Sequence, residues 1–221
     1  MDAAQVRYEG RTLLLKGELT LETLPGVASQ VRGHLDAHGG PLALDLGSLR
    51  VVHAWWDDAA RQAVADLRGG ESGVIDDARL AAMFHDPALK AARKLLTCGV
   101  EWALPSGHFI EDKEGHKHPD ARLAVWRHWA KRLPEIALVP RGNEHLVPDI
   151  EIPHEHRIGP VDGAPILFGH HWFSGDLALE TPKVACLDWS AAKGGPLVAY
   201  RWDGEAELQH QHMVAVRGGR A

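Results

Sequence analysis

Two short apolar runs of β character, Val51-Val52 and Ile166-Leu167-Phe168, each lead straight into histidine: His53 in the first case, and His170-His171 across Gly169 in the second. No other feature constrains the fold as strongly. A residue leaving a strand end has its Cα fixed by the sheet while its side chain keeps the freedom to reach a ligand, so this is where sheet-based hydrolases present metal-binding imidazoles. The sequence reads as strands that carry a loop-borne site.

The pattern around these runs is local and legible. A strand is expected at 11–15, followed by a Gly-rich stretch up to Gly40. Leu42-Ala43-Leu44-Asp45-Leu46 and Leu49-Arg50-Val51-Val52 flank Gly47-Ser48 and read as a hairpin that delivers His53. Asp57 or Asp58 is placed to cap a helix through Ala59, Ala63, Val64 and Leu67 that stops at Gly69-Gly70. A second helical stretch is expected over 76–96, restarted at Asp86-Pro87 because proline cannot continue the hydrogen-bond ladder but fits a first turn. Leu80, Phe84, Leu89 and Leu95 are its expected packing residues.

From 98 to 165 the chain is rich in Pro, Gly, His and charge, apart from an amphipathic stretch at 121–133 carrying Trp126 and Trp129, and reads as an insertion draped over the scaffold. The C-terminal part reads as strands at 183–187, 197–202 and 207–216, with a turn at Asp203-Gly204 and one packed face of Val198, Tyr200 and Trp202.

The 221 residues suit one sizeable domain or two small ones, and 45% hydrophobic with 24% charged residues is an ordinary globular balance. A formal net charge of −6 offers no basic stripe for a phosphate backbone, so nucleic acid is not an expected partner. No apolar run reaches the roughly 18–20 residues that span a bilayer, and Arg7, Glu9, Arg11, Lys16, Glu18 and Glu22 interrupt the start of the chain; the expectation is a cytoplasmic protein without membrane attachment. Cys98 and Cys186 fall in no Cys-x-x-Cys pattern and read as buried thiols. Fifteen histidines make chance pairs common, and those in polar loops, such as His108, His116 and His154, read as solvated side chains.

The segment Ala185-Cys186-Leu187-Asp188-Trp189-Ser190-Ala191-Ala192-Lys193-Gly194-Gly195-Pro196-Leu197-Val198-Ala199-Tyr200-Arg201-Trp202-Asp203-Gly204-Glu205 resembles the closing segment of bacterial calcineurin-like metallophosphoesterases, of the diadenosine tetraphosphatase or serine/threonine protein phosphatase type. The run from Leu49 to Trp56, then Gly99-Val100-Glu101 through Leu104-Pro105-Ser106-Gly107 to Asp112-Lys113-Glu114-Gly115-His116, and then Phe168-Gly169-His170-His171-Trp172 follow the order of that family. The resemblance implies an α/β fold, part of a calcineurin-like β-sandwich flanked by helices. It also implies two metal ions that bind a phosphate and activate water. His53 and His170 match two ligands of one metal, Arg122 is the candidate for substrate phosphate, Asp188 is a candidate to orient a ligand from behind it, and His171 receives no ligand role.

The departures are equally specific. The Asp-x-His, Gly-Asp-x-x-Asp-Arg-Gly and Gly-Asn-His-Glu motifs that supply the remaining ligands have no ordered equivalent here. Asp36-Ala37-His38-Gly39 and Gly142-Asn143-Glu144-His145 imitate two of them in the wrong place or order. The resemblance therefore implies only the C-terminal half of the domain, at 41–221 with 98–165 as a loop-rich insertion, behind a poorly matched segment at 1–40. Such a half would leave a sheet face bare, to be covered by an N-terminal partner polypeptide, by self-association or by residues 1–40.

The resemblance implies hydrolysis of a phosphate ester or dinucleoside polyphosphate with Mn, Fe or Zn, acting on a phosphorylated small molecule or a phosphoprotein, with the isolated chain expected to be incomplete and inactive. The alternative expectation is a non-catalytic scaffold or binding module of the same ancestry. Each site residue also has a structural alternative: His53 and His170 as core-edge histidines, Arg122 as a solvated residue on a helix, Asp188 as a turn former, and Lys193-Gly194-Gly195 as a plain turn.

Overall fold

A computed structural model describes residues 5–9, 12–16, 43–45, 47–67, 77–111, 116–139 and 142–216. Among these residues the chain is mixed α/β, with four α-helices and five small sheets, none of which closes on itself. The strand expected at 11–15 is the second arm of a hairpin in which β1 (Gln5–Glu9) pairs antiparallel with β2 (Thr12–Lys16). The segments around Asp36 to Gly39 and Asp112 to Gly115 lie outside the described residues, as does the expected helix stop at Gly69-Gly70.

The hairpin around Gly47-Ser48 forms as its sequence dictates: β3 (Ala43–Asp45) pairs antiparallel with β4 (Arg50–Val52). The helix α1 (Asp58–Leu67) follows, and Asp57 is its cap, since its Oδ1 accepts the backbone N–H of Ala60 at 2.7 Å. The next helical stretch divides where the proline requires, into α2 (Asp77–His85) and α3 (Pro87–Cys98). Asp86 caps α3 by accepting the Leu89 N–H at 2.9 Å.

The packing face differs from expectation. Leu80 and Phe84 stay about half exposed, and the guanidinium of Arg93 lies 4.4 Å from the Phe84 ring centre. Met83, Ala92 and Leu96 are buried in their place, while Leu95 packs against the same core as expected.

The stretch at 121–133 is not an amphipathic helix. It begins as β8 (Asp120–Leu123), antiparallel to β5 (Val100–Ala103), and continues through turns to the short α4 (Leu133–Ile136). Ala121 and Leu123 are buried while Arg122 points outward, the two-residue period of a strand. The small β6 (Ile110–Glu111) and β7 (Lys117–His118) form a second pair beside it. Residues 98–165, expected as a covering layer, place Trp102, Leu123, Trp126, Leu133, Ile136 and Ile152 inside the main core.

The central sheet positions the site. Its order is β10-β9-β4-β3, where β9 (Ile166–Phe168) runs parallel to both β4 and β10 (Val184–Cys186). Every residue of β9 and β10 is buried. Alternate residues face opposite layers: Ile166, Phe168, Val184 and Cys186 join Trp55, Trp126 and the helices, whereas Leu167 and Ala185 meet Leu208, Tyr200 and Trp202. The bare face expected of a half-domain is thus absent from these two strands, because the C-terminal segment folds over it.

That segment is a hairpin of β11 (Leu197–Tyr200) and β12 (Met213–Val216). Pairing of Tyr200 with Met213 means that a loop of residues 201–212, and not Asp203-Gly204 alone, joins the arms. The loop is held by Glu205, which accepts from the Tyr200 hydroxyl at 2.5 Å and the Asp203 N–H at 2.7 Å, and shares a 2.8 Å bond with His212 Nδ1. Val198 and Tyr200 pack inward as expected.

Candidate functional site

Parallel strands align their carboxyl ends, and the crevice beyond those ends is where open α/β sheets bind ligands. Here three neighbouring strands release His53 after β4, His170 after β9 and Asp188 after β10. The backbone ties the loops together before any side chain acts. The N–H of Gly169 donates to the carbonyl of His53 at 2.9 Å, and that of Phe173 donates to the carbonyl of Asp188 at 2.8 Å. The Ser190 hydroxyl donates to the Phe173 carbonyl at 3.1 Å.

The loops hold unusual backbone. His170, Trp172 and Ser190 adopt φ of 70°, 50° and 62°, and among the described residues they are the non-glycine positions with positive φ. Such conformations cost on the order of 1–3 kcal/mol each and gather where function over-determines the chain. Gly195 is needed for a different reason: a Cβ there would stand 2.0 Å from the carbonyl oxygen of Trp189.

His53 Nε2 lies 3.1 Å from His170 Nδ1, one ring donating to the other according to tautomer. Two nitrogens bound about 2.1 Å from one ion at right or tetrahedral angles would be roughly 3.0–3.4 Å apart, so the pair has the spacing of two ligands on a shared metal. The set is nevertheless short of a metal centre. Among the described residues no third His, Cys, Asp or Glu completes a group able to hold an ion. His170 Nε2 is buried without a hydrogen-bond partner, whereas a ligating histidine ordinarily donates its second N–H.

Burial, then the charges of Arg122 and His53, lower the pKa of His170. His171 packs against Trp126 and Phe168, and burial followed by the neighbouring cationic groups lowers its pKa to about 4, so it is a neutral imidazole near pH 7. Gly99 makes room for it, since a Cβ there would approach His171 Cε1 to 3.0 Å.

Arg122 sits directly across β5–β8 from Glu101, with Nε 3.3 Å from Oε1, and Lys94 of α3 reaches Oε2 at 2.7 Å. Burial alone would raise the pKa of Glu101, but Lys94 and Arg122 together bring it below the usual range, so it stays ionised between two cations. Arg122 is about half exposed and borders a groove of about 410 Å3 lined also by Ile110, His118, Asp120 and Leu138.

Of the residues named from sequence, His53 and His170 meet, and Asp188 stands on the adjoining strand end with its carboxylate accepting the Ser190 N–H at 3.1 Å, capping its own turn. The positive charge of Arg122 is one of the causes that lower the pKa of His170. The clamp of Lys94 and Glu101 on Arg122 was not expected from sequence. Its signal was the alternation of Val100 and Trp102 opposite Ala121 and Leu123, which puts Glu101 and Arg122 on one outward face. Comparison of the chain with protein-family models, curated proteins and solved structures finds no match.

Proposed function

We propose that this end of the sheet is part of a metal-dependent phosphoesterase centre of the calcineurin-like type. In this reading His53 and His170 hold one side of a divalent ion, Mn, Fe or Zn; Arg122 meets a phosphoryl oxygen; and Asp188 steadies the loop beside His170. The single observation that carries the reading is the 3.1 Å approach of two imidazoles at the carboxyl ends of adjacent parallel strands. Such an ion, when bound, supplies Lewis acidity and an activated water for hydrolysis of a phosphate ester or pyrophosphate bond.

The chain's own contribution is positioning. Glu101, itself paired with Lys94, holds Arg122 at Nε, and the planar fork of the guanidinium suits bidentate contact with phosphate. The further metal donors come from outside the described residues, on this polypeptide or on a partner. The central sheet backed by the C-terminal hairpin is read as a portion of the family's two-layered sandwich. The substrate is a phosphorylated small molecule or a phosphoprotein in the cytoplasm.

The test is p-nitrophenyl phosphate turnover with Mn2+, by the purified chain alone and mixed with a polypeptide carrying the three absent motifs. Metal-dependent turnover that His53→Ala lowers more than about tenfold is expected in at least the mixture. No turnover in either arm rejects the reading. The absence of a third donor among the described residues favours a second reading, a non-catalytic scaffold of the same ancestry. It predicts a cooperative fold with neither Mn2+ binding nor turnover.

A further inference from the structure

An exposed indole lies on the same loop as His170. Trp172 follows His170 by two residues, so their Cα atoms are no more than about 7 Å apart. It is 57% exposed, although its φ of 50° is a conformation that bulky residues seldom adopt. The indole gains little from burial, so the core does not account for that backbone. The ammonium of Lys193 lies 3.6 Å from the centre of the ring. Lys193 belongs to the loop that leaves β10 through Asp188 and the left-handed Ser190. The two loops that carry His170 and Asp188 thus also bring together an aromatic plane and a cation.

We propose that Trp172 is a stacking platform that, with Lys193 at its face, selects aryl phosphates over alkyl phosphates at the histidine pair. A planar ring suits an indole whose partner cation draws the attached anion toward the same place, and an alkyl group offers no such face. This rests on the phosphoesterase reading and names its substrate class. Trp129, equally exposed at 58%, stacks edge-on with its neighbour His128, and no cation of the described residues lies over it, so exposure alone does not single out Trp172.

The experiment measures binding of phenylphosphonate and methylphosphonate by calorimetry in Mn2+, to the full chain alone and mixed with a polypeptide carrying the three absent motifs, so that no turnover is needed. The wild type is expected to prefer phenylphosphonate by about fivefold or more. Trp172→Ala is expected to bring the ratio of the two affinities to about one, and Trp172→Phe to retain part of the preference. Circular dichroism checks that the variants fold. Equal affinity for the two probes, or a preference that survives Trp172→Ala, overturns the platform and leaves the phosphoesterase reading standing. Binding of neither probe, by the chain alone or in the mixture, overturns both.

Discussion

The carbonyl of His53 accepts the N–H of Gly169 at 2.9 Å, which places the two imidazoles beside each other by main chain alone. Removing either ring should therefore spare the fold. His53→Ala and His170→Ala are expected to change unfolding free energy by no more than about 1 kcal/mol. Calorimetry is expected to show Mn2+ binding by the wild type, completed by the further donors the proposed centre needs, and its loss in both variants. A large loss of stability on His53→Ala would mean that the ring, and not the backbone tie, holds the loops.

Gly195 faces the opposite outcome. With a Cβ only 2.0 Å from the Trp189 oxygen, Gly195→Ala must push one loop backbone away from the other. Urea titration is expected to show destabilisation of about 1–3 kcal/mol, the range of overpacked sites. The neighbouring Gly194→Ala makes a useful control, since nothing lies within 4 Å of its Cβ position, although its φ of 85° still carries strain.

The helical layer gives a contrast between sequence expectation and packing. Leu96 is 1% exposed, so Leu96→Ala is expected to cost about 2–5 kcal/mol. Leu80→Ala, at a position 48% exposed, should stay within about 0.5 kcal/mol. Equal effects in thermal denaturation would contradict this division of the apolar face.

The C-terminal loop should make stability depend on pH through Glu205 and Tyr200. Burial would raise Glu205, but the bonds from Tyr200, the backbone and His212 hold it at about 2, against 4.5 ordinarily. Burial, then the bond to Glu205, pushes Tyr200 up to about 12 from 10. A carboxylate with a depressed folded pKa stabilises above its unfolded value and loses that contribution as pH falls toward 2. A phenol with a raised folded pKa stabilises below 10 and loses the contribution as pH rises through 12. Melting temperatures of wild type and Glu205→Gln should differ most on the plateau between these limits and converge in acid.

Local features were legible in the sequence where a single short-range rule decides. Gly47-Ser48 between two apolar runs gives the hairpin, and Asp86-Pro87 gives the break between helices. His53 and His170 were legible as residues leaving strand ends. What could not be read is which strands become neighbours, because period-2 apolar runs carry no address for their partner.

The same gap explains the misreadings. The amphipathic stretch at 121–133 put Arg122 on a helix, yet pairing of Ala121 with Trp102 makes Arg122 a strand residue. Asp203-Gly204 has the letters of a tight turn, but the hydrogen bonds converging on Glu205 stabilise a longer connection. The coverage of β9 and β10 by Leu208, Tyr200 and Trp202 depends on long-range docking that no local window contains.

Because His53 and His170 are 117 positions apart, their meeting requires the chain to close a very long loop before β9 can join β4. During synthesis the first histidine waits until the chain through His170 has left the ribosome. An unrepaired proteolytic cut in the intervening stretch would replace a unimolecular closure with an encounter between separate fragments.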